Sequence, residues 1–281
     1  MRKIGLIALT GLMVALMACL PDVYDKNYYK ETAYDNQDYN YESYPYTDVE
    51  ILTENGEITS SVVESDSIAV SLRLSVSGYS DADAEEHLAE IDVNIDADSA
   101  AGKLSIRIYM PDDYRRSYGC DVTIEIPDSL FVDFETSNGR IEAEGHRNGL
   151  VLLTSNGGIE IANTAGEADL ETSNGEIDVD EHDGRIEGET SNGAITADLI
   201  MPVNDGYCRF ESSNGRIRLA VPDSTGAEVT LRTSLGSIDV IGLNINITSQ
   251  DSNHLEGNMG SGTGTIYLKT SNGDVVLEKL P

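Results

Sequence analysis

The side chains best suited to chemistry are acidic residues that recur at a fixed spacing. Glu142, Glu160 and Asp178 are each 18 residues apart. Carboxylate oxygens are the preferred ligands of hard cations such as calcium, and carboxylates held close together raise one another's pKa. The calcium-binding repeat Gly-Gly-x-Gly-x-Asp does not occur in the chain. These three acids are therefore the metal candidates, but we expect loose attraction of counterions, with no specific metal site and no catalytic residue.

The four histidines offer less. His146 and His182 occupy the same position in two repeats that are two periods apart. At the strand spacing of a sheet, the two histidines would lie roughly 9.6 Å apart, which is too far for a common zinc ion. His87 lies in a predicted helix and His254 in a predicted loop. We expect all four to be ordinary surface histidines.

Two cysteines, Cys120 and Cys208, lie at positions that point inward in the pattern described below. A regular stack of strands would put them on the order of 19 Å apart, whereas a disulfide needs its Cα atoms within about 7 Å. The sequence therefore predicts two buried free thiols.

These side chains are positioned by an internal repeat of the form Thr-Ser-Asn-Gly-x-Ile. Its copies begin at residues 53, 136, 154, 172, 190, 212, 233 and 270, and the copies from 136 to 190 are each 18 residues apart. A fixed period of this size is typical of stacked repeat architectures, in which each unit buries its apolar face against its neighbours.

On either side of each Asn-Gly pair, residues at alternate positions form two sets, one apolar and one acidic. Side chains alternate faces along a strand, so the apolar set predicts the core. Before the turn it comprises Val132 and Phe134, Leu150 and Leu152, Ala168 and Leu170, Ile186 and Gly188, Cys208 and Phe210, Val229 and Leu231, and Ile266 and Leu268. After the turn it comprises Ile141 and Ala143, Ile159 and Ile161, Ile177 and Val179, Ile195 and Ala197, Ile217 and Leu219, Ile238 and Val240, and Val275 and Leu277.

Asn-Gly pairs favour positive φ, so we expect them to bend the chain between the two half-strands of each unit. The predicted turn residues are Asn138, Gly139, Asn156, Gly157, Asn174, Gly175, Asn192, Gly193, Asn214, Gly215, Asn272 and Gly273. The copy that begins at Thr233 has Leu235 in place of asparagine and should drop out of any asparagine ladder. A hairpin stack could also use Asn-Gly, but the regular phase favours an all-β, single-stranded β-solenoid with rungs of about 18 residues.

The remaining elements complete one predicted domain over residues 47–281. Residues 47–129 form an entry region of strands with one short helix at 80–90, where Ser80 can serve as the N-cap. Regular rungs follow over 130–281, interrupted by a Gly-, Asn- and Ser-rich loop at 242–262.

The chain begins with a secretory signal. Residues 1–18 have a charged start, Met1-Arg2-Lys3, and an apolar run too short for a stable membrane span. This segment ends in Leu16-Met17-Ala18, and together with Cys19 these residues resemble the lipobox of bacterial lipoproteins, although Met17 is less usual at its position. This resemblance implies that Cys19 is lipidated and becomes the first residue of the mature protein. With Leu20 next, and no acidic residue there, it favours the outer membrane over the inner membrane.

Residues 19–46 differ from the rest of the chain in composition, with many tyrosines among Asp, Asn, Glu and Lys and almost no aliphatic residue. Such a stretch cannot supply a core, so we expect a flexible tether between lipid and domain. The alternative is that the interleaved Tyr and Asp bind a glycan or another envelope component, because the amphipathic ring of tyrosine suits interfaces.

Charge limits the partners. The formal net charge is −32, so a phosphate backbone would be repelled and no nucleic acid is expected. The sequence predicts no cofactor.

The repeated Thr-Ser-Asn-Gly-x-Ile rungs, the Ile126-Pro127 step, the helix at 80–90 and the terminal Lys269-Thr270-Ser271-Asn272-Gly273 resemble the putative-adhesin family of bacterial envelope β-solenoid domains. The resemblance covers roughly residues 47–279. It implies the fold and an envelope location, but no activity, because the family is a domain of unknown function.

Three function classes follow. The first is a non-enzymatic, lipid-anchored envelope protein that presents a rigid acidic solenoid to an unknown protein or glycan partner. The second is a periplasmic accessory protein of envelope assembly or stress response. The third is a polysaccharide-active β-helix enzyme, which needs paired carboxylates in a walled cleft and is disfavoured by the open ladders and the absence of tryptophan. Self-association through an unpaired solenoid edge also stays open.

Overall fold

The computed structural model describes residues 31–112, 116–200, 206–260 and 263–281. The predicted signal peptide, Cys19 and the first part of the predicted tether lie outside the described residues. Within them the chain is almost entirely β, with one helix, which confirms the predicted class.

Twenty-two strands and one helix make up the described part of the chain. The first elements are β1 Glu31–Glu42, β2 Asp48–Asn55, β3 Ile58–Val62, β4 Ser67–Gly78, α1 Asp81–Leu88, β5 Asp92–Asp98, β6 Lys103–Tyr109 and β7 Tyr118–Ile126. The next are β8 Phe131–Asn138, β9 Ile141–Glu144, β10 Leu150–Thr154, β11 Ile159–Ala162, β12 Ala165–Thr172, β13 Ile177–Thr190, β14 Ile195–Leu199, β15 Tyr207–Asn214 and β16 Ile217–Val221. The last are β17 Ala227–Leu235, β18 Ile238–Ile241, β19 Asn246–Gln250, β20 His254–Met259, β21 Gly264–Asn272 and β22 Val275–Lys279.

Strands before each Asn-Gly pair form one sheet, the pre-turn sheet, and strands after it form another, the post-turn sheet. Strand β13 joins both, since its first residues pair in the post-turn sheet and its last eight in the pre-turn sheet. Neighbouring copies pair in parallel with an 18-residue offset, as in Leu150↔Ala168 and Ile159↔Ile177. The buried side chains of both sheets form one core that contains most of the predicted inward residues, while Ile238 and Val240 are partly buried against it. The inside and outside assignment from parity is therefore confirmed.

The prediction of a uniform solenoid is not confirmed, because the sheet topology is mixed. At one end, β4 pairs antiparallel with both β1 and β7, and β5 pairs antiparallel with β6. At the other end, β20 pairs antiparallel with both β17 and β19. Parallel stacking with an 18-residue offset is limited to the copies that begin between residues 136 and 190, because later copies carry insertions, as in Ile186↔Cys208.

The spatial order of the copies also departs from their order along the chain. Strand β21 lies between β15 and β17, so the last copy is inserted before the one that begins at Thr233. The prediction of a loop at 242–262 is wrong where the chain forms β19 and β20. These two strands extend the pre-turn sheet, and the chain then returns to the position between β15 and β17. Similar copies offer equivalent hydrogen-bonding edges, so the repeat pattern alone cannot order them.

The sequence predicted that positive φ angles bend the Asn-Gly corner, and this prediction is wrong. The φ angle of Gly175 is not positive. Glycine is required at this position for space, because a Cβ there would lie 1.8 Å from the carbonyl oxygen of Gly157. Positive φ occurs instead at the opposite corner, at Gly145 (84°), Asn163 (54°) and Glu181 (56°). A left-handed residue breaks the alternation of faces, so the residue that follows each of these turns inward.

The predicted flexible tether is wrong for Glu31–Glu42. This stretch is the edge strand β1, paired with β4 over its whole length. Its inward side chains include Tyr39 and Tyr41, which are half-buried against the core. Tyrosine rings and backbone pairing replace the aliphatic residues whose absence suggested disorder.

Helix α1 confirms the helix predicted at 80–90. Ser80 caps its N-terminus by accepting a hydrogen bond from the backbone N–H of Asp83. The helix packs on β4 and β1, where Ala84 is fully buried. Asp83 also receives two hydrogen bonds from Arg116, of 2.8 and 3.0 Å. The hydrogen bonds from Arg116 and from the Tyr79 backbone lower the pKa of Asp83 to about 2.

Candidate binding groove

The predicted turn residues form two ladders along one corner. Each asparagine amide nitrogen donates to the side-chain oxygen of the next asparagine along the stack, as in Asn174 to Asn156 (3.0 Å) and Asn192 to Asn174 (2.9 Å). The ladder runs in space through Asn55, Asn138, Asn156, Asn174, Asn192, Asn214 and Asn272. Inside it, buried hydroxyls donate to glycine carbonyls, as Thr172 does to Gly157 (2.8 Å). Among the described residues, the amides of the corner and its buried hydroxyls are used for structure, apart from the Thr53 hydroxyl, which has no hydrogen-bond partner.

Leu235 ends the asparagine ladder. It stands in register with Asn272 and is 72% exposed. The ladder therefore stops at Asn272, whose side-chain oxygen has no asparagine donor beyond it.

The three acidic metal candidates are brought together by the strand register. Glu160 stands directly between Glu142 and Asp178 on the outer face of the post-turn sheet. Arg140 lies beside them, with its Nε 3.0 Å from Glu142 and its terminal nitrogen in contact with Glu160. Burial and the neighbouring Glu176 raise the pKa of Asp178. In the part of the chain described, no group of three or more His, Cys, Asp or Glu side chains has the arrangement of a metal site.

The expectation of surface histidines is wrong for His146 and His182, which are both fully buried. They follow the left-handed residues Gly145 and Glu181, which turn them inward. Ser60 lies 2.9 Å from Nε2 of His146. Burial lowers the pKa of His146 to about 4 and also lowers that of His182.

These two histidines belong to a polar column inside the core. Thr164, from the intervening copy, lies 2.9 Å from Nδ1 of His182. Within the described residues, the other ring nitrogen of each histidine has no hydrogen-bond partner. The other two histidines are half-buried, and His254 lies in strand β20, where the sequence suggested a loop.

Cys120 and Cys208 are free and buried, as expected. Burial raises the pKa of Cys120 to about 12 and also raises the pKa of Cys208. Both thiols therefore stay protonated and unreactive at neutral pH.

A groove that the sequence reading did not identify lies on the outer face of the post-turn sheet, across β1, β4, β7 and β3. Its volume is about 520 Å³. The floor is a row of short hydroxyl side chains in register across three strands, Ser71, Thr123 and Thr59, which we call the hydroxyl row. The groove exists because these short side chains lie between longer charged ones.

Existing contacts hold the polar groups of the groove walls. Asp38 accepts a hydrogen bond of 2.7 Å from Ser71. Asp121 accepts one of 3.1 Å from the backbone N–H of Glu57 and lies 3.7 Å from the Arg73 guanidinium. That ion pair is exposed, so it orients the two side chains more than it stabilises the fold.

An aromatic ring lies at the edge of the groove. The guanidinium carbon of Arg73 is 4.4 Å from the centre of the Tyr34 ring, a cation–π contact. Tyr34 is 53% exposed. It belongs to the Tyr- and Asp-rich stretch in which a binding segment was the alternative to a tether.

One signal in the sequence could have identified the groove. Thr59 and its row neighbours Ser71 and Thr123 carry hydroxyls at the outward position where the later copies in the same row carry Glu142, Glu160 and Asp178. The pairing of β1 with β4, which supplies Asp38 and Tyr34, could not be read from the repeat, because β1 contains no copy of it.

No helix in the described ranges is both long and apolar enough to cross a membrane.

Comparisons with known proteins give structural similarities only. No protein-family model and no curated protein matches the chain. The fold is similar to that of a putative cell adhesion protein from Clostridium sporogenes ATCC 15579, at 9% identity and a TM-score of 0.41, over 88% of this chain and 100% of that chain.

Two further solved structures are similar. One is a putative adhesin from Bacteroides fragilis NCTC 9343, at 12% identity and a TM-score of 0.44, over 88% of this chain and 97% of that chain. The other is a putative lipid binding protein from Parabacteroides distasonis ATCC 8503, at 11% identity and a TM-score of 0.31, over 88% of this chain and 97% of that chain.

Proposed function

We propose that this chain is a non-catalytic, lipid-anchored protein of the bacterial cell envelope, an adhesin or binding scaffold that presents a rigid acidic surface to a partner. The proposed anchor is Cys19, and the proposed location is the outer membrane. The partner is a protein or a glycan, and nucleic acid is disfavoured because the net charge is −32.

The observation that carries the binding role is the outer face of the post-turn sheet. Its register aligns Asp38, Ser71, Thr123, Thr59, Glu142, Glu160 and Asp178 in one row across seven strands. Six strand steps span about 29 Å at ~4.8 Å each. A continuous sheet holds these groups in fixed positions, which reduces the ordering cost of binding an extended partner.

The same row supports a non-catalytic role. Hydrolysis of a glycosidic bond uses two carboxylates on opposite sides of the bond within a shaped site. Here Glu142 and Glu160 stand side by side on an open face and both contact Arg140. Two carboxylates side by side on an open face, both bound to one arginine, are suited to holding charge in place and do not flank a bond from opposite sides.

Lipid anchoring is tested by replacing Cys19 with alanine. We expect Cys19→Ala to move the protein from the membrane fraction to the soluble fraction, because the acyl chains are the proposed anchor. The matched control is Cys120→Ala, which removes a buried thiol from the folded part and should leave the protein in the membrane fraction. Membrane retention of Cys19→Ala would refute the anchor.

Exposure is tested separately by protease treatment of intact cells. Digestion of the anchored protein in intact cells supports a surface adhesin. Protection until the outer membrane is opened supports the periplasmic alternative.

A further inference from the structure

We propose that the groove over the hydroxyl row binds an uncharged oligosaccharide, lying along the row from Asp38 towards Glu142. This inference rests on the proposed binding role and names its ligand class. Four observations carry it: the donor and acceptor pattern, the side chains already held in place, the aromatic edge, and the charge balance.

The donor and acceptor pattern matches a polyhydroxylated ligand. Thr59 and Thr123 have hydroxyls with no hydrogen-bond partner in the described part of the chain, and each can both donate and accept. Carboxylates on either side accept, and the Arg73 guanidinium donates. Sugar hydroxyls also donate and accept, so each can be paired here.

The groove is also set before a ligand arrives. Ser71 fixes the Asp38 carboxylate at 2.7 Å, and the backbone N–H of Glu57 fixes Asp121 at 3.1 Å. Side chains already held in place lose little rotamer freedom on binding. An open groove with shallow walls needs this advantage, because it buries little apolar area.

Tyr34 gives the groove an aromatic edge. One side of its ring is covered by Arg73 at 4.4 Å, yet the residue is still 53% exposed. The amphipathic tyrosine ring can pack against the C–H face of a sugar while its hydroxyl stays in water.

Charge favours a neutral ligand over a charged one. An anionic polymer would meet a chain with a net charge of −32. A basic peptide would have to displace existing ion pairs, since Arg73 lies beside Asp121 and Arg140 contacts Glu142 and Glu160. A neutral ligand avoids the repulsion and has no ion pair to displace.

The test is calorimetric titration of the full-length protein in detergent with three uncharged hexasaccharides: cellohexaose, mannohexaose and N-acetylated chitohexaose. We expect at least one to bind. The double variant Thr59→Val/Thr123→Val keeps the shape and strand preference of the row but removes two hydroxyls, and it should weaken that binding at least tenfold. Thr230→Val, on the outer face of the pre-turn sheet, is the matched control and should bind like the unmodified protein.

Three results would overturn the proposal. One is no binding of any of the three hexasaccharides. Another is binding that the double variant leaves unchanged. The third is binding of hexalysine that the double variant abolishes while no hexasaccharide binds, which would assign the groove to basic peptides. The fractionation of Cys19→Ala is independent of these titrations, so anchoring and glycan binding can fail separately.

Discussion

At the scale of the residue, the Asn-Gly glycine is required for space. A Cβ at Gly175 would lie 1.8 Å from a backbone oxygen, whereas one at Gly158 would lie 3.3 Å from its nearest neighbour, the Glu176 carbonyl oxygen. We expect Gly175→Ala to force neighbouring copies apart and to cost about 3 kcal/mol or more of unfolding free energy. Gly158→Ala is the control and should cost much less. Thermal unfolding followed by circular dichroism compares them, and equal losses would contradict the close-approach explanation.

The buried histidines make stability depend on pH. Burial lowers the pKa of His146 to about 4. Below pH ~6.5 the unfolded chain therefore binds a proton at this histidine that the folded chain does not bind. The contribution of neutral His146 to stability is therefore fully present above the pKa of this residue in the unfolded chain, and it is lost as the pH falls towards the pKa in the folded chain. The neighbours that oppose the lowered pKa of His182 are Asp183 and hydrogen bonds with the Arg185 and Gly166 backbones.

Urea unfolding at pH 7 and pH 5 tests this dependence. His146 alone should contribute a loss of about 2 kcal/mol between these values, by linkage from its shifted pKa. His146→Gln removes the titrating group, so its loss over the same interval should be smaller by that amount. An unchanged pH dependence would show that His146 is not the group that titrates.

At the scale of the element, the asparagine ladder stops at Leu235 because that side chain cannot donate to Asn272, its partner in register. Leu235→Asn should add one amide hydrogen bond and remove a 72% exposed aliphatic side chain. We expect a gain of about 0.5 to 1 kcal/mol in unfolding free energy. The control Ser234→Asn adds the same amide one position away from the ladder. If both variants unfold at the same urea concentration, the ladder contributes nothing at this end.

At the scale of the whole molecule, the two sheets share one core, so damage at its centre should not stay local. Ile177 is fully buried between them. Ile177→Asp would bury an unpaired charge, and we expect cooperative loss of structure across neighbouring copies. The control is Asp178→Ile at the next, outward position, which should retain the fold. Hydrogen exchange followed by mass spectrometry would show the extent, and protection retained in β11 and β14 of Ile177→Asp would contradict a shared core.

The sequence by itself determined the β class, the inward residues and the helix capped by Ser80. It could do so because alternation of faces and capping depend on residues close together in the chain. It also identified the Asn-Gly corner, although not the reason for its glycine.

Only the tertiary structure decided the rest. The insertion of β21 between β15 and β17, the pairing of β1 with β4 and the burial of His146 and His182 all depend on partners distant in sequence or on a left-handed corner residue. Equivalent repeat copies present equivalent hydrogen-bonding edges, so a periodic sequence specifies that its strands stack but not in which order. The groove likewise depends on pairings between distant strands, because its wall and floor come from β1, β4, β7 and β3, which are neighbours only in the folded sheet.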